Sequence, residues 1–233
     1  MDARDAQSRE GVRLSAVCGI VFAITFVAAI VLLGGLLGSF ADSDETFSEY
    51  YESSSNRNGS ALGGVLLFVS GIALLPFVGG LVRLLSRSRE SAAAQLAVPL
   101  SYVASGLIIA SAAAFSTVGM ARIMADIFDE ATPPFQGASI VVLPQLGYVL
   151  MVFAAWTQAV LLALAGSLII RTRALPAAAG WLAIVCAAIL LPGAFAIAPL
   201  LALPLWVLTA AVLMLRPATG RETVRDAGVA AEK

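Results

Sequence analysis

The sequence predicts an all-α fold: a polytopic transmembrane helical bundle of six spans with both termini cytoplasmic. Three observations carry that prediction. First, 60% of the 233 residues are hydrophobic and only 12% are charged, with a mean hydropathy of +0.93. A soluble domain is closer to half apolar and a quarter charged, so this chain could not cover its apolar surface in water. Second, six apolar segments follow one another, at about 14–40, 61–83, 97–121, 140–170, 175–192 and 199–215. Third, the basic residues gather on alternate connections. The expected organisation is an N-terminal cytoplasmic tail (1–13), a transmembrane domain (14–216) and a polar cytoplasmic tail (217–233) that is expected to be disordered.

The first apolar run is too long for a signal-peptide core, which has about 7–15 residues, and is read as a retained span. Gly34 and Gly38 give it a small-residue stripe, the pattern of close helix packing. The stretch ADSDETFSEYYESSSNRNGS (41–60) follows as an acidic exterior loop. Within it Phe47, Tyr50 and Tyr51 fall at helical spacing, which predicts a short helix lying in the membrane interface. Asp42, Asp44 and Glu45 are close together but lack the regular oxygen spacing and glycine turn of a calcium loop, so no metal site is expected.

The second span leads to a basic connection. The third carries Ser101, Tyr102, Ser105, Ser111, Ser116 and Thr117, with Gly106, Ala110 and Ala114 as a second small-residue stripe. The next loop, MARIMADIFDEATPPFQG (120–137), reads as another amphipathic cap. Ile123, Met124, Ile127 and Phe128 form its apolar stripe, and Pro133-Pro134 ends it. Arg122 and Asp126, four apart, are expected to pair on its surface.

The fourth span holds Gln145, Tyr148, Thr157 and Gln158. An amide at mid-depth wants a partner, so Gln158 is read as an interhelical hydrogen bond. The sharper alternative is a polar contact lining a ligand cavity with Tyr102 or Thr157. The last apolar stretch, 175–215, is about twice a span's length and is broken by Pro192-Gly193 and Pro199, which predicts a tight hairpin of two spans.

Twelve of the fourteen bases lie on one side of this threading, including Arg13, Arg83, Arg171, Arg173 and Arg216; only Arg57 and Arg122 lie on the other. The positive-inside rule then puts both termini in the cytoplasm, which requires an even number of spans. Arg outnumbers Lys 13 to 1 amid abundant Ala, Gly and Leu, the bias of a GC-rich bacterial genome. The expected location is therefore the bacterial cytoplasmic membrane. Cys18 and Cys186 sit in apolar runs and read as small core residues rather than a disulfide.

The chemistry these residues exclude is broad. There is no histidine, the only lysine is Lys233, and no acidic residue falls inside a predicted span. Ser-His, Cys-His and Ser-Lys catalysis, intramembrane aspartyl proteolysis, histidine metal sites and carboxylate proton relays are all unsupported. Neither a CxxC motif nor a nucleotide-binding GxxxxGK[ST] loop occurs. The net charge of −1 argues against nucleic acid. No catalytic residue and no cofactor is expected.

The C-terminal third, RTRALPAAAGWLAIVCAAILLPGAFAIAPLLALPLWVLTAAVLMLR (171–216), carries a resemblance. Leu175, Pro176, Gly180 and Trp181 opening the fifth span, and Pro204, Leu205, Trp206, Val207 and Leu208 in the sixth, resemble the bacterial membrane family catalogued as domain of unknown function 4386. The tyrosine pair Tyr50-Tyr51 before a glycine-rich second span is similar as well. The resemblance implies a six-helix integral membrane protein and no activity.

The functional expectation is a non-enzymatic structural or accessory membrane component, with lipids and a membrane-protein partner around it. The alternative is a small permease or lipophilic-ligand binder with a cavity between the third and fourth spans. A third reading is a sensor whose acidic caps read cations or envelope components.

Overall fold

The structure, a computed structural model, describes residues 3–37, 44–86, 92–128, 138–193 and 197–215. Gly38, Asp42, Pro133, Pro134 and the 217–233 tail lie outside the described residues. The fold is all-α, with α1 (Ala3–Leu37), α2 (Asp44–Glu52), α3 (Ser54–Ser86), α4 (Ala92–Ile127), α5 (Ala138–Thr172), α6 (Ala177–Gly193), α7 (Ile197–Leu200) and α8 (Ala202–Leu215). Four of these helices are long and apolar enough to cross a membrane, over Glu10–Leu36, Ser54–Leu85, Gln95–Ile127 and Ser139–Thr172. α6 and α8 are shorter apolar helices of 17 and 14 residues.

The helices pack as a ring in chain order: α1 on α3, α3 on α4, α4 on α5, α5 on α6, then α6 on α8 and α8 back on α1. A single apolar core fills the ring, with Phe22, Phe26, Phe77, Phe115 and Trp206 among its fully buried side chains. Large apolar side chains are equally common on the outside, such as Val31 on α1, Leu62 on α3, Val103 on α4 and Val185 on α6. Helices apolar on every face belong in a bilayer, where lipid takes the outer face. Pro76, Pro99 and Pro144 lie within α3, α4 and α5, as bilayer helices tolerate when neighbours pack against the freed backbone.

Several helix ends differ from the sequence expectation. Residues 3–13, expected as a tail, are the opening turns of α1. Much of the acidic loop is helix, because α3 starts at Ser54, well before its apolar run. The second amphipathic cap is no separate helix: Ile123 to Ile127 simply continue α4. α5 ends where Arg173 takes a left-handed φ of 52° and its N–H bonds the Ile169 carbonyl at 2.9 Å. That is the residue position where glycine usually stops a helix.

α2 is the larger correction. It does not use its aromatic face on the bilayer. Phe47 and Tyr51 are fully buried in the bundle core, and α2 packs on α3 and α5. Its aromatic spacing is real, but the apolar medium it meets is protein.

The small-residue stripes are corrected too. Gly34 and Gly106 have open space where a side chain would stand, and Ala110 faces outward; only Ala114 of these is buried. The close approaches lie elsewhere. A Cβ on Gly166 would stand 2.6 Å from the Gly180 carbonyl oxygen, and one on Gly180 would stand 2.9 Å from that of Gly166. Here α5 and α6 touch backbone to backbone, which only glycine permits.

Candidate functional site

The four polar residues singled out in the sequence are not brought together. Gln158 is buried on the inner face of α5, between Ala154, Ala155 and Leu162 in the apolar core. Its Nε2 has no hydrogen-bond partner among the described residues, so the expected interhelical bond is not made. Thr157 donates its hydroxyl to the Phe153 carbonyl of its own helix at 2.8 Å. Tyr102 is 62% exposed and points away from the bundle, so it shares no cavity with Gln158. Gln145 is half-buried near the start of α5, and the rise between it and Gln158 is about 20 Å.

The hydrogen bonds that do join helices run from side chains to backbone carbonyls. Ser60 on α3 donates to Phe115 of α4 at 2.7 Å, and Ser111 on α4 donates to Gly147 of α5 at 2.7 Å. The indole of Trp156 reaches Leu191 of α6 at 3.0 Å, and that of Trp206 on α8 reaches Ala179 of α6 at 3.0 Å. Trp206 therefore packs inside the bundle, as expected, while Trp181 is exposed. Both cysteines are free.

A groove of about 610 Å³ opens outward between α1 and α8, lined by Ile24, Val27, Leu201, Pro204, Leu205 and Leu208. Its walls are apolar. It offers no group that could orient or activate a substrate, and it does not lie between α4 and α5.

The polar cluster that stands out is at the α2 end of the ring. Gly119 lets α4 close on α3 there: a Cβ at this position would sit 2.8 Å from the Arg57 carbonyl oxygen and 3.3 Å from Ser60 Oγ. Arg122 and Asp126 lie one and two turns further along the same face of α4. Asp126 Oδ2 accepts from Arg57 Nη2 at 2.9 Å, so the expected Arg122–Asp126 pair is replaced by one across the helix seam. A bond between helices wins because Arg57 is held against α4 by the Gly119 contact.

Tyr51 of α2 closes the cluster from above. It is fully buried, beside Ser60 and within the field of Arg122. Ser60 gives its own proton to the Phe115 carbonyl. Burial pushes the Tyr51 hydroxyl up to about 12, against the smaller opposing effects of its side-chain hydrogen bond with Ser60 and of the Arg122 charge. The hydroxyl stays protonated, a donor, throughout the neutral range. Arg57 Nε and Arg122 Nε are buried without a hydrogen-bond partner among the described residues, whereas the Tyr51 hydroxyl lies against Ser60 Oγ, which keeps lone pairs to accept from it. No group of three or more His, Cys, Asp or Glu that could hold a metal occurs among the described residues.

Sequence reasoning passed over this cluster, although a signal existed. Arg57 and Arg122 are the two bases that stand alone on the acidic side of the chain. No family model, curated protein or solved structure matches the chain.

Proposed function

We propose that this helical membrane protein is a six-span, non-enzymatic structural or accessory component of the bacterial cytoplasmic membrane, with both termini inside. The observation that carries this reading is the interior of the ring, which is filled with apolar side chains and tied helix to helix through backbone carbonyls. α6 and α8 count as the fifth and sixth spans because they cover the faces of α5 and α1 that would otherwise lack a partner. The twelve bases of the opposite face support the cytoplasmic assignment.

The permease alternative calls for Gln158, Thr157 and Tyr102 around one cavity; the outward Tyr102 and the bond of Thr157 to its own helix weigh against it. Native mass spectrometry of protein released gently from its own membrane tests the reading. A protein partner at fixed stoichiometry is the expected result. A small molecule retained by the parent and lost in Gln158→Leu would overturn it in favour of a ligand binder. Topology is tested separately, by single cysteines at Ser53 and Ala178 in a background without Cys18 and Cys186. A membrane-impermeant thiol reagent applied to intact cells should label the first and not the second.

A further inference from the structure

We propose that α6, α7 and α8 form a re-entrant hairpin, which enters and leaves by the basic end of the bundle and turns at mid-depth of the apolar layer. This keeps the accessory role and the shared side of the two termini, and it replaces the last two full crossings by one half-crossing.

Two flanks place the turn independently. On the α5 side, Gly166 and Gly180 bring α5 and α6 together near the basic end, and near the turn the Trp156 indole donates to the Leu191 carbonyl at 3.0 Å. Trp156 stands near the middle of the 35-residue α5, which runs on beyond it to Ala138, a rise of about 27 Å. On the α1 side, a Cβ on Gly19 would stand 3.1 Å from that of Ala211, and Leu201 and Pro204 share a groove with Ile24 and Ala28. From Ala28, α1 runs on to Leu37, about 14 Å further. Both flanks put the turn well short of the end where α2 lies.

The residues of the hairpin suit hydrocarbon. Between Arg173 and Thr209 there is no charged, amide or hydroxyl side chain, whereas the connections at the opposite end, 41–60 and 120–137, are rich in acids. A turn without water must dispose of its backbone polar groups within the protein. The Leu191 carbonyl has the Trp156 indole, and the Leu205 N–H bonds back to the Leu201 carbonyl at 3.3 Å. Pro199 and Pro204 carry no N–H, and Pro204 falls in the first turn of α8, where a donor would lack a helical acceptor. The sector beyond the turn is covered from the far end, because α2 packs on α5 as well as on α3.

The test uses the full chain with single cysteines, in a background without Cys18 and Cys186. Leu201 is exposed next to the turn. A membrane-impermeant thiol reagent is applied to intact cells and to inverted vesicles. Leu201→Cys should stay unlabelled from both sides and react only after solubilisation in dodecyl sulfate. Labelling from either side would overturn the proposal, since a complete crossing brings this residue to water. Depth separates burial in lipid from simple steric shielding. In proteoliposomes a bimane on Leu201→Cys should be quenched most by lipids with a doxyl group at mid-chain; strongest quenching by a doxyl near the headgroup would overturn the proposal. Leu205→Cys, one turn on and also exposed, gives both readouts should Leu201→Cys fail to fold. Ser53→Cys and Ala178→Cys keep their expected labelling whether the hairpin crosses or returns, so failure of the hairpin and failure of the overall topology are told apart.

Discussion

Two seams bring helices to near contact, and they are finished differently. Between α5 and α6, Gly166 and Gly180 set backbone on backbone, and the nearby indoles of Trp156 and Trp206 donate to α6 carbonyls. Between α3 and α4, Gly119 draws the helices together in the same way, but the polar groups gathered there are left with donors to give. The first seam closes with its donors matched. The second leaves two guanidinium nitrogens without an acceptor among the described residues. Close packing is therefore common to both, and hydrogen-bond satisfaction is what separates them.

The sharpest way to break the comparison is to wedge the finished seam. Gly166→Val should destabilise by about 3 kcal/mol or more, because the new side chain meets a carbonyl that no rotamer change can move. Loss of the monodisperse peak in size-exclusion chromatography is the readout. A variant that unfolds like the parent would mean the α5–α6 seam is looser than described.

The next effect belongs to the unfinished end. Tyr51 has its folded pKa raised to about 12 from 10.0, so its contribution is fully present below pH 10 and is lost as pH rises toward 12. The loss should be on the order of 2–3 kcal/mol, reduced by whatever solvent reaches the ring. Comparing parent and Tyr51→Phe by chemical unfolding across pH 9–12 isolates it: the variant should show the shallower alkaline decline. At neutral pH the same variant should lose about 1 kcal/mol, since the hydroxyl's bond with Ser60 is removed.

Trp206→Phe sharpens the finished side. It deletes the bond to the Ala179 carbonyl and part of the edge contact with Phe77, and should cost about 1–2 kcal/mol by thermal unfolding. The smallest effect is at the turn after α5. Arg173→Gly relieves a left-handed backbone but gives up the interaction Arg173 holds, so the two should offset and its unfolding curve should stay within about 1 kcal/mol of the parent's.

The membrane bundle was legible from composition and from the long apolar runs, while the expected breakers Pro192 and Gly193 fall within the last turn of α6 and Pro199 within the short α7. What stayed hidden was which face of each helix turns inward. In water, polarity marks the outer face. In a bilayer both faces are apolar, so Gly106 and Gly166 look alike in sequence although one meets open space and the other a neighbouring backbone. Tyr102 and Gln158 misled for the same reason. α2 shows the converse: its amphipathic spacing was readable, but lipid and protein core are equally apolar, and periodicity does not say which one Phe47 and Tyr51 enter. The Tyr51–Arg57–Arg122 cluster needed three helices in place before it existed at all.

The shortness of the α6–α8 pair reaches beyond the protein. At about 26 and 21 Å, these helices fall below the roughly 30 Å of a typical hydrocarbon layer, while α3, α4 and α5 run to about 50 Å. On the six-span reading proposed above, one sector of the ring would ask the surrounding lipid to thin, and the opposite sector would not. The annulus would then be lopsided, with shorter or more disordered acyl chains favoured beside α6 and α8. Two copies turned thin side to thin side would share one deformed patch of bilayer instead of maintaining two, an attraction that needs no contact between their side chains.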